Sequence, residues 1–406
     1  MMMFAAAALA LALSACGGPP PDTTLVLSSD PDLRDRVAEL LPKLSERAGM
    51  ELVRPVRVER RTRGDLEDYL LFKLNQDLSP EESEHLTESY ALLGLVDEGL
   101  DLREILLSVY NEQVAGFYDP DSTALFVMDD MPVETLETVM IHELVHAVQD
   151  QGANLDSLTA EDRGNDRQAA AQAAIEGHAT LIMLEYMAEE LRGEPMDLST
   201  LPDLSQRIGP ALEGLRNQYP ALASAPAIIQ ESLLFPYLEG AAYVAALWQT
   251  HENRPPPFQA FLPQSTEQIL DPDRAWGPGE DAPTELDIQV PDTHEILYQN
   301  TLGQAELGIF LEEHLGSGSR PLARGWDGDR YLLLQTPEGD HGLVWASVWD
   351  GEEERDRFSE AVHEILDGLP RSARLEKVEL FGRPGAVLRV GLSPALALEI
   401  QEGTGR

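Results

Sequence analysis

Apolar side chains recur every three or four positions over residues 133–151, and this spacing predicts an amphipathic helix. No proline or glycine interrupts that segment. The same period predicts a second long helix over residues 167–191 and further helical structure over residues 205–251. Shorter helices are predicted over residues 30–48, 64–75, 79–93, 101–110, 300–315 and 352–366.

Alternation of apolar and polar side chains predicts strands elsewhere in the chain. Residues 113–118 and 123–128 flank the sequence Asp-Pro-Asp-Ser, an arrangement that predicts a β-hairpin. Residues 253–290 are rich in proline, aspartate and glycine, so we expect an irregular connection there. Other strands are predicted over residues 51–62, 329–335, 342–349, 374–381 and 385–390. This mixture of elements predicts the α+β fold class.

The helix over residues 133–151 carries three residues with chemical potential. His142 and His146 are four positions apart, or about 40° around a helix, so both imidazoles leave the same face and can bind one metal ion. Glu143 is rotated by about 100° from His142, which places its carboxylate beside the metal. The order His-Glu-x-x-His is typical of zinc hydrolases. The alternative is a coincidental match, with two surface histidines in an ordinary amphipathic helix.

Zinc in a catalytic site takes three protein ligands and a water molecule, so a third ligand is needed. Glu176 lies in the second long helix, 30 positions beyond His146. We therefore expect one zinc ion per chain, bound by His142, His146 and Glu176. We also expect the hairpin to lie beside this site, where an edge strand can pair with an extended peptide.

These residues resemble the gluzincin branch of zinc metallopeptidases, the thermolysin-like group. Three short sequences are also similar to those of bacterial lipoprotein metallopeptidases of that branch: Val-Ala-Gly-Phe-Tyr-Asp-Pro at 114–120, Glu-Gly-His-Ala at 176–179 and Ser-Thr-Glu-Gln at 265–268. The resemblance is strongest over residues 112–185 and weaker over residues 235–271. One departure is Thr180, since thermolysin-type enzymes carry there an aspartate that steadies a zinc-binding histidine.

The resemblance implies a zincin-like, two-lobed metallopeptidase core, with a mixed sheet over the motif helix and a helical lower lobe. It also implies hydrolysis of peptide bonds in a polypeptide substrate. Glu143 would act as the general base. Tyr237 is the first candidate for the donor that stabilises the oxyanion, and Tyr243 is the second. Either tyrosine could instead be a buried ring with a satisfied hydroxyl.

The start of the chain points to a membrane. An apolar run over residues 4–15 is too short to span a bilayer and ends in Leu-Ser-Ala before Cys16, the only cysteine. This resembles a bacterial lipobox, which implies a signal peptide over residues 1–15, a lipid on Cys16 and a flexible tether over residues 16–27. We expect anchoring in the cell envelope, at the outer membrane of a Gram-negative cell. The alternative is a cleaved secretory signal and a secreted protein.

Charge narrows the range of partners. The chain of 406 residues has 29 basic and 72 acidic residues and a formal charge of −43, which repels nucleic acid. We therefore expect no nucleic-acid partner, and the sequence does not indicate an oligomeric state. A hydrophobic content of 43% suits more than one domain. We expect the metallopeptidase domain over residues 28–290 and a C-terminal α+β domain of unknown role over residues 291–406.

The sequence therefore favours a membrane-anchored, zinc-dependent metallopeptidase. The alternative is a catalytically inactive lipoprotein that keeps a zincin fold and serves as a binding or envelope-assembly factor. Retention of Glu143 favours the enzyme, because an inactive relative commonly loses its general base.

Overall fold

The computed structural model of the chain describes residues 25–131, 133–160, 164–202, 204–216 and 218–403. Cys16, the expected signal peptide (1–15) and most of the expected tether (16–27) lie outside these residues. Among the helices of the described ranges, none has the length and apolar character needed to cross a membrane. The fold is α+β, as the sequence predicts.

The helices and strands follow one another along the chain in mixed order. The helices are α1 (Pro31–Ala48), α2 (Arg63–Asp77), α3 (Pro80–Leu92), α4 (Leu102–Gln113), α5 (Val133–Ala153), α6 (Leu155–Leu158), α7 (Asn165–Arg192), α8 (Leu204–Arg216), α9 (Pro220–Ser224), α10 (Ala227–Thr250), α11 (Thr266–Leu270), α12 (Gly303–Leu315) and α13 (Glu352–Ile365). The strands are β1 (Val26–Leu27), β2 (Val56–Arg61), β3 (Gly116–Asp119), β4 (Ala124–Met128), β5 (Leu286–Gln289), β6 (Glu295–Asn300), β7 (Trp326–Gln335), β8 (His341–Trp349), β9 (Ala373–Leu380), β10 (Arg383–Val390) and β11 (Glu399–Glu402).

Local side-chain caps fix where the first helices begin. The Asp30 carboxylate accepts hydrogen bonds from two main-chain amides in the first turn of α1. Thr62 and Asp65 form a capping box at the start of α2, and Ser79 and Glu82 form another at the start of α3. Because these signals are local, the predicted starts of the three helices lie within one residue of the observed ones.

The first sheet is mixed and has the strand order β1-β2-β4-β3. β1 and β4 run parallel to β2, whereas β3 runs antiparallel to β4 and forms the edge of the sheet. Helix α5 packs against β3 and β4 on one side and against α1 and α7 on others. Val37, Val58, Leu144 and Val148 belong to the core that these elements share, and none of them has exposed surface. The motif helix is therefore enclosed.

Helices α7 and α10 cross at two glycines. A Cβ atom on Gly177 would lie 2.0 Å from the carbonyl carbon of Gly240. A Cβ atom on Gly240 would lie 2.0 Å from the carbonyl oxygen of Ala173. The two main chains approach this closely only because both positions lack a side chain. The crossing fixes the distance between the helix that carries Glu176 and the helix that carries Tyr237.

The second sheet is antiparallel, with the strand order β6-β7-β8-β10-β9. Helices α12 and α13 cover one face, and the β5–β11 ribbon covers the other. We call these elements together, residues 286–403, the C-terminal unit. Trp326 and Trp345 are buried in it and donate hydrogen bonds to the Asp329 carboxylate over 3.0 and 2.8 Å. These side chains therefore serve its core.

Contacts cross the point between residues 290 and 291, where we expected a domain boundary. Strand β5 precedes that point, yet it pairs with β11 near the other end of the C-terminal unit. Residues 295–300, for which the sequence predicts no strand, form β6, and the helix predicted over residues 300–315 is α12, which begins at Gly303. The two parts also share buried contacts, since the Tyr90 hydroxyl of α3 donates to Glu306 of α12 over 3.0 Å.

Candidate metal centre

Three predicted ligands come together between α5 and α7, and we call them the metal cluster: His142, His146 and Glu176. The Nε2 atoms of the two histidines lie 3.0 Å apart. The Oε2 atom of Glu176 lies 3.1 Å from His142 Nε2 and 3.7 Å from His146 Nε2. His146 and Glu176 have no exposed surface, and His142 is 4% exposed. The four-residue spacing on α5 and the packing of α7 against it produce this convergence.

The cluster has the dimensions of a zinc site. Zinc bonds of about 2.0–2.1 Å to nitrogen and oxygen in tetrahedral geometry give ligand–ligand edges of about 3.3–3.4 Å. The three edges of the cluster are 3.0, 3.1 and 3.7 Å and bracket that value. Two ring nitrogens and one carboxylate oxygen are also the donor set that zinc prefers. The residues present therefore fit a zinc ion.

Electrostatics around the cluster point the same way. Burial and the nearby His142 hold the pKa of His146 well below its usual range, so the ring is neutral, which is the form that binds metal. Oε1 of Glu176 is buried and has no hydrogen-bond partner among the described residues. A buried carboxylate in this state is costly unless a cation compensates it.

Glu143 lies beside the cluster, and a hydrogen bond from the first sheet holds its carboxylate. Its Oε2 atom accepts a hydrogen bond of 2.8 Å from the main-chain N–H of Tyr118, in the edge strand β3. Its Oε1 atom is buried and has no partner among the described residues. Burial and the carboxylate of Glu176 raise the pKa of Glu143 well above its usual range. The expected hairpin is therefore present next to the motif helix, and it orients the candidate base.

The two candidate tyrosines on α10 lie in different surroundings. The ring of Tyr237 lies 6.0 Å from the ring of His142, between centroids, with the planes tilted by 31°. The hydroxyl of Tyr243 instead donates to the main-chain carbonyl of Phe261 over 2.7 Å. Its ring packs 5.3 Å from that of Trp276. Tyr237 is thus next to the cluster and is the better candidate for the oxyanion donor, whereas the hydroxyl of Tyr243 already donates to a main-chain carbonyl.

Gln149 also belongs to the site, although the sequence motifs do not indicate it. Its side chain has no exposed surface, and its Oε1 atom lies 2.6 Å from Nδ1 of His146. Its Nε2 atom lies 3.0 Å from the carbonyl oxygen of Ile175 and 3.0 Å from Nδ1 of His178. The available signal was its spacing, since a polar residue three positions after His146 shares a helix face with it.

His178 and Thr180 complete the surroundings of the cluster on α7. Burial lowers the pKa of His178 to about 3, so the ring is neutral. It packs between Trp248 and Phe258, at 5.8 and 5.9 Å between ring centroids. The Thr180 hydroxyl, at the position of the thermolysin-type aspartate, is buried and has no hydrogen-bond partner among the described residues.

A second group of acidic residues lies in and near the C-terminal unit. Carboxylate oxygens of Asp281, Asp327 and Asp350 lie within 4.8 Å of one another. Arg274 pairs with Asp281 and Asp350, and Arg383 pairs with Asp327. Since each of the three carboxylates pairs with an arginine, the group is an ion-pair network that joins the connection to the second sheet.

Comparison with known proteins bears on the C-terminal unit alone. A family model described as a domain of unknown function (DUF8575) matches residues 294–393. The match runs from just before β6 to just after β10 and does not include the metal cluster. No curated protein and no solved structure matches the chain.

Proposed function

We propose that the chain is a zinc-dependent metallopeptidase that hydrolyses peptide bonds in polypeptides, with His142, His146 and Glu176 as zinc ligands and Glu143 as general base. The observation that carries this proposal is the cluster itself. Three buried donors lie at the spacing of a tetrahedral zinc site, and the carboxylate of Glu143 lies beside them with one oxygen that has no hydrogen-bond partner in the described part of the chain. With zinc bound, this combination would put a general base next to a Lewis acid.

We further propose that residues 28–290 form a zincin-like core. The mixed sheet β1-β2-β4-β3 over α5 would be its upper lobe. Helices α8, α9 and α10 would be its lower lobe, and the site would lie between the two. The edge strand β3 supports this assignment, because an extended peptide can pair with the main chain of an edge strand.

A zinc ion at the cluster would supply Lewis acidity, which polarises a peptide carbonyl and makes a water molecule acidic near neutral pH. Glu143 would accept the proton of the attacking water on Oε1, since the Tyr118 amide holds its other oxygen. The same carboxyl group would then deliver the proton to the leaving amine nitrogen. The hydroxyl of Tyr237 would donate to the oxygen on which negative charge develops.

The N-terminal segment supports a location for this activity. We propose that Cys16 carries a lipid and anchors the catalytic part in the cell envelope, which would be at the outer membrane if the cell is Gram-negative. Envelope or secreted polypeptides would then be the substrates. The alternative is a secreted form without the lipid. Metabolic labelling with a fatty-acid probe distinguishes the two. A lipoprotein should be labelled, and Cys16→Ser should abolish that labelling, whereas a secreted form should not be labelled at all.

One observation favours a second function. Structural zinc sites are closed, whereas catalytic sites keep an open position, and the metal cluster is almost completely buried. This burial suits an inactive zincin-fold lipoprotein that uses zinc to hold its shape and acts as a binding or assembly factor. Glu143 Oε1, which has no hydrogen-bond partner among the described residues, favours the enzyme, because a structural site has no need of a second carboxylate that does not bind the metal.

The experiment that tests the enzyme compares Glu143→Gln with the wild type in cleavage of a quenched peptide library and in zinc content. We expect the variant to keep one zinc per chain, because Glu143 is not a ligand. Cleavage should fall by about 10²-fold or more, the typical contribution of a general base. Glu137→Gln is the matched control, since Glu137 lies on the same helix in a surface pair with Arg36 and should leave cleavage unchanged.

Cleavage by Glu143→Gln at the wild-type rate would show that the assigned base is wrong. A wild-type protein that binds zinc but cleaves no member of the library would instead favour the binding or assembly function.

A further inference from the structure

The side chain of Gln149 has only one orientation that suits its surroundings. The main-chain carbonyl of Ile175 can only accept a hydrogen bond, so the atom of Gln149 that faces it over 3.0 Å must be the amide nitrogen. The amide oxygen therefore faces Nδ1 of His146, over 2.6 Å. Both contacts are buried, and a reversed amide would bring its oxygen against the carbonyl oxygen of Ile175, two acceptors that cannot form a hydrogen bond.

This orientation determines where His146 carries its proton. An amide oxygen accepts and cannot donate, so Nδ1 of His146 must be the protonated nitrogen of the neutral ring. Nε2 then keeps its lone pair, and Nε2 is the atom that lies 3.0 Å from His142 Nε2 and 3.7 Å from Glu176 Oε2. The lone pair required for metal binding is thereby directed into the cluster.

The same amide reaches a second histidine. The other hydrogen on Nε2 of Gln149 lies against Nδ1 of His178, at a nitrogen–nitrogen distance of 3.0 Å. Gln149 thus makes a contact on α5 and two on α7, the helix that carries Glu176. It joins the two helices that supply the three ligands.

We propose that Gln149 is a positioning residue that fixes the tautomer of His146 for zinc binding. This inference rests on the proposed zinc site. The resemblance to thermolysin-type enzymes implies an acidic partner for a zinc histidine at the position of Thr180. Here the acceptor of His146 comes from α5 itself and is uncharged. An uncharged acceptor suits a fully buried site that already holds the carboxylates of Glu143 and Glu176.

The test measures the zinc affinity of the full chain by competition with a chromophoric chelator. Gln149→Leu keeps the approximate volume and removes every hydrogen bond, and we expect it to weaken zinc binding by about 10- to 100-fold. Gln149→Glu keeps an acceptor against His146 but adds a charge to the buried site and loses the donors to Ile175 and His178, so it should recover only part of the affinity that Gln149→Leu loses. Gln151→Leu is the matched control. Gln151 lies on the same helix, and its side-chain oxygen accepts hydrogen bonds from the main-chain N–H groups of Val53 and Arg54. This variant should leave zinc affinity unchanged.

A second measurement does not depend on the folding of any variant. Nitrogen–proton correlation NMR of the histidine rings in the zinc-loaded wild type should place the proton of His146 on Nδ1. A proton on Nε2 of that ring, or wild-type zinc affinity in a folded Gln149→Leu, would overturn the positioning role and leave the proposed function intact. If the wild-type protein takes up no zinc, both the proposed function and the role of Gln149 are wrong.

Discussion

Tyr237 and Tyr243 are six positions apart on α10, which separates their directions by about 120° around the helix. Only one of them can therefore face the metal cluster. The structure places the ring of Tyr237 near His142 and gives the hydroxyl of Tyr243 to a main-chain carbonyl. The helical spacing alone predicts that the two cannot share a role, but it does not tell which of them faces the site.

This difference gives a matched pair of variants. Tyr237→Phe should lower kcat for peptide cleavage by about 10²-fold, with little change in KM, because an oxyanion donor acts mainly in the transition state. Tyr243→Phe should leave kcat unchanged and lower the free energy of unfolding by about 1 kcal/mol, through the lost hydrogen bond to Phe261. Steady-state kinetics and urea unfolding of both variants measure these effects, and equal kcat losses would refute the assignment.

Residue spacing in the sequence predicts some residues of the candidate site but not others. The positions of His142, Glu143 and His146 follow from helical geometry within one element, and Glu176 follows from the number of ligands that zinc needs. The pairing of Gln149 with the Ile175 carbonyl depends on how two helices pack, which no local pattern encodes. The same holds for the amide of Tyr118 that reaches Glu143.

Two long helices bring Glu176 to the cluster, and their glycine crossing sets how closely they approach. Gly240→Ala would place a Cβ atom 2.0 Å from the carbonyl oxygen of Ala173, so the helices would have to separate. We expect a loss of about 1–3 kcal/mol in the free energy of unfolding. Zinc affinity should also fall, because the carboxylate on α7 would move away from α5. Chemical unfolding and chelator competition measure the two effects.

Gly214→Ala is the control for that substitution, since a Cβ atom at this position on α8 would meet no described atom within 4 Å. It should leave zinc affinity unchanged and stabilise the protein by a few tenths of a kcal/mol to about 1 kcal/mol, because alanine favours helix more than glycine does. Equal stability losses in both variants would show that the crossing has no special role.

Elements with local signals were predicted well, and elements without them were not. The helices α1, α2 and α3 carry caps that the sequence displays directly. The strands β5 and β11 have four residues each. Each forms by pairing with the other, and more than one hundred positions separate them along the chain. A four-residue segment offers too little alternation to identify, and its distant partner is invisible to a local pattern. The expected domain boundary after residue 290 separates this pair for that reason.

At the scale of the whole molecule, buried acids lie where α7 meets the C-terminal unit. Burial raises the pKa of Glu306 to about 8, although Asn165 and Tyr90 donate hydrogen bonds to it. Burial likewise raises the pKa of Asp166 to about 7, although the amide and hydroxyl of Thr266 donate to it. The folded chain therefore favours protonated acids at this junction.

The pH dependence of stability follows from these shifts. Below the ordinary glutamate pKa of 4.5, Glu306 is protonated in both states and its contribution is fully present. As the pH rises towards about 8, the unfolded chain releases the proton and the folded chain keeps it, so the free energy of unfolding falls. Glu306→Gln should reduce this decline without abolishing it, because Asp166 contributes in the same direction. Urea unfolding at several pH values between 5 and 9 measures the slope.

Glu312→Gln on the same helix is the control for the pH experiment. Arg320 pairs with Glu312 and, against partial burial, holds the pKa of that carboxyl below its usual range. Its contribution is present above the ordinary glutamate pKa and is lost only as the pH falls below it. The slope above pH 6 should therefore match the wild type, and a slope equally reduced in both variants would exclude the junction as its source.

The most direct test of the account is anomalous diffraction at the zinc absorption edge from crystals of the zinc-loaded chain. We expect one anomalous peak at about 2.0–2.2 Å from His142 Nε2, His146 Nε2 and a carboxylate oxygen of Glu176. A zinc peak bound elsewhere, or no peak at these three residues in zinc-saturated crystals, would contradict it.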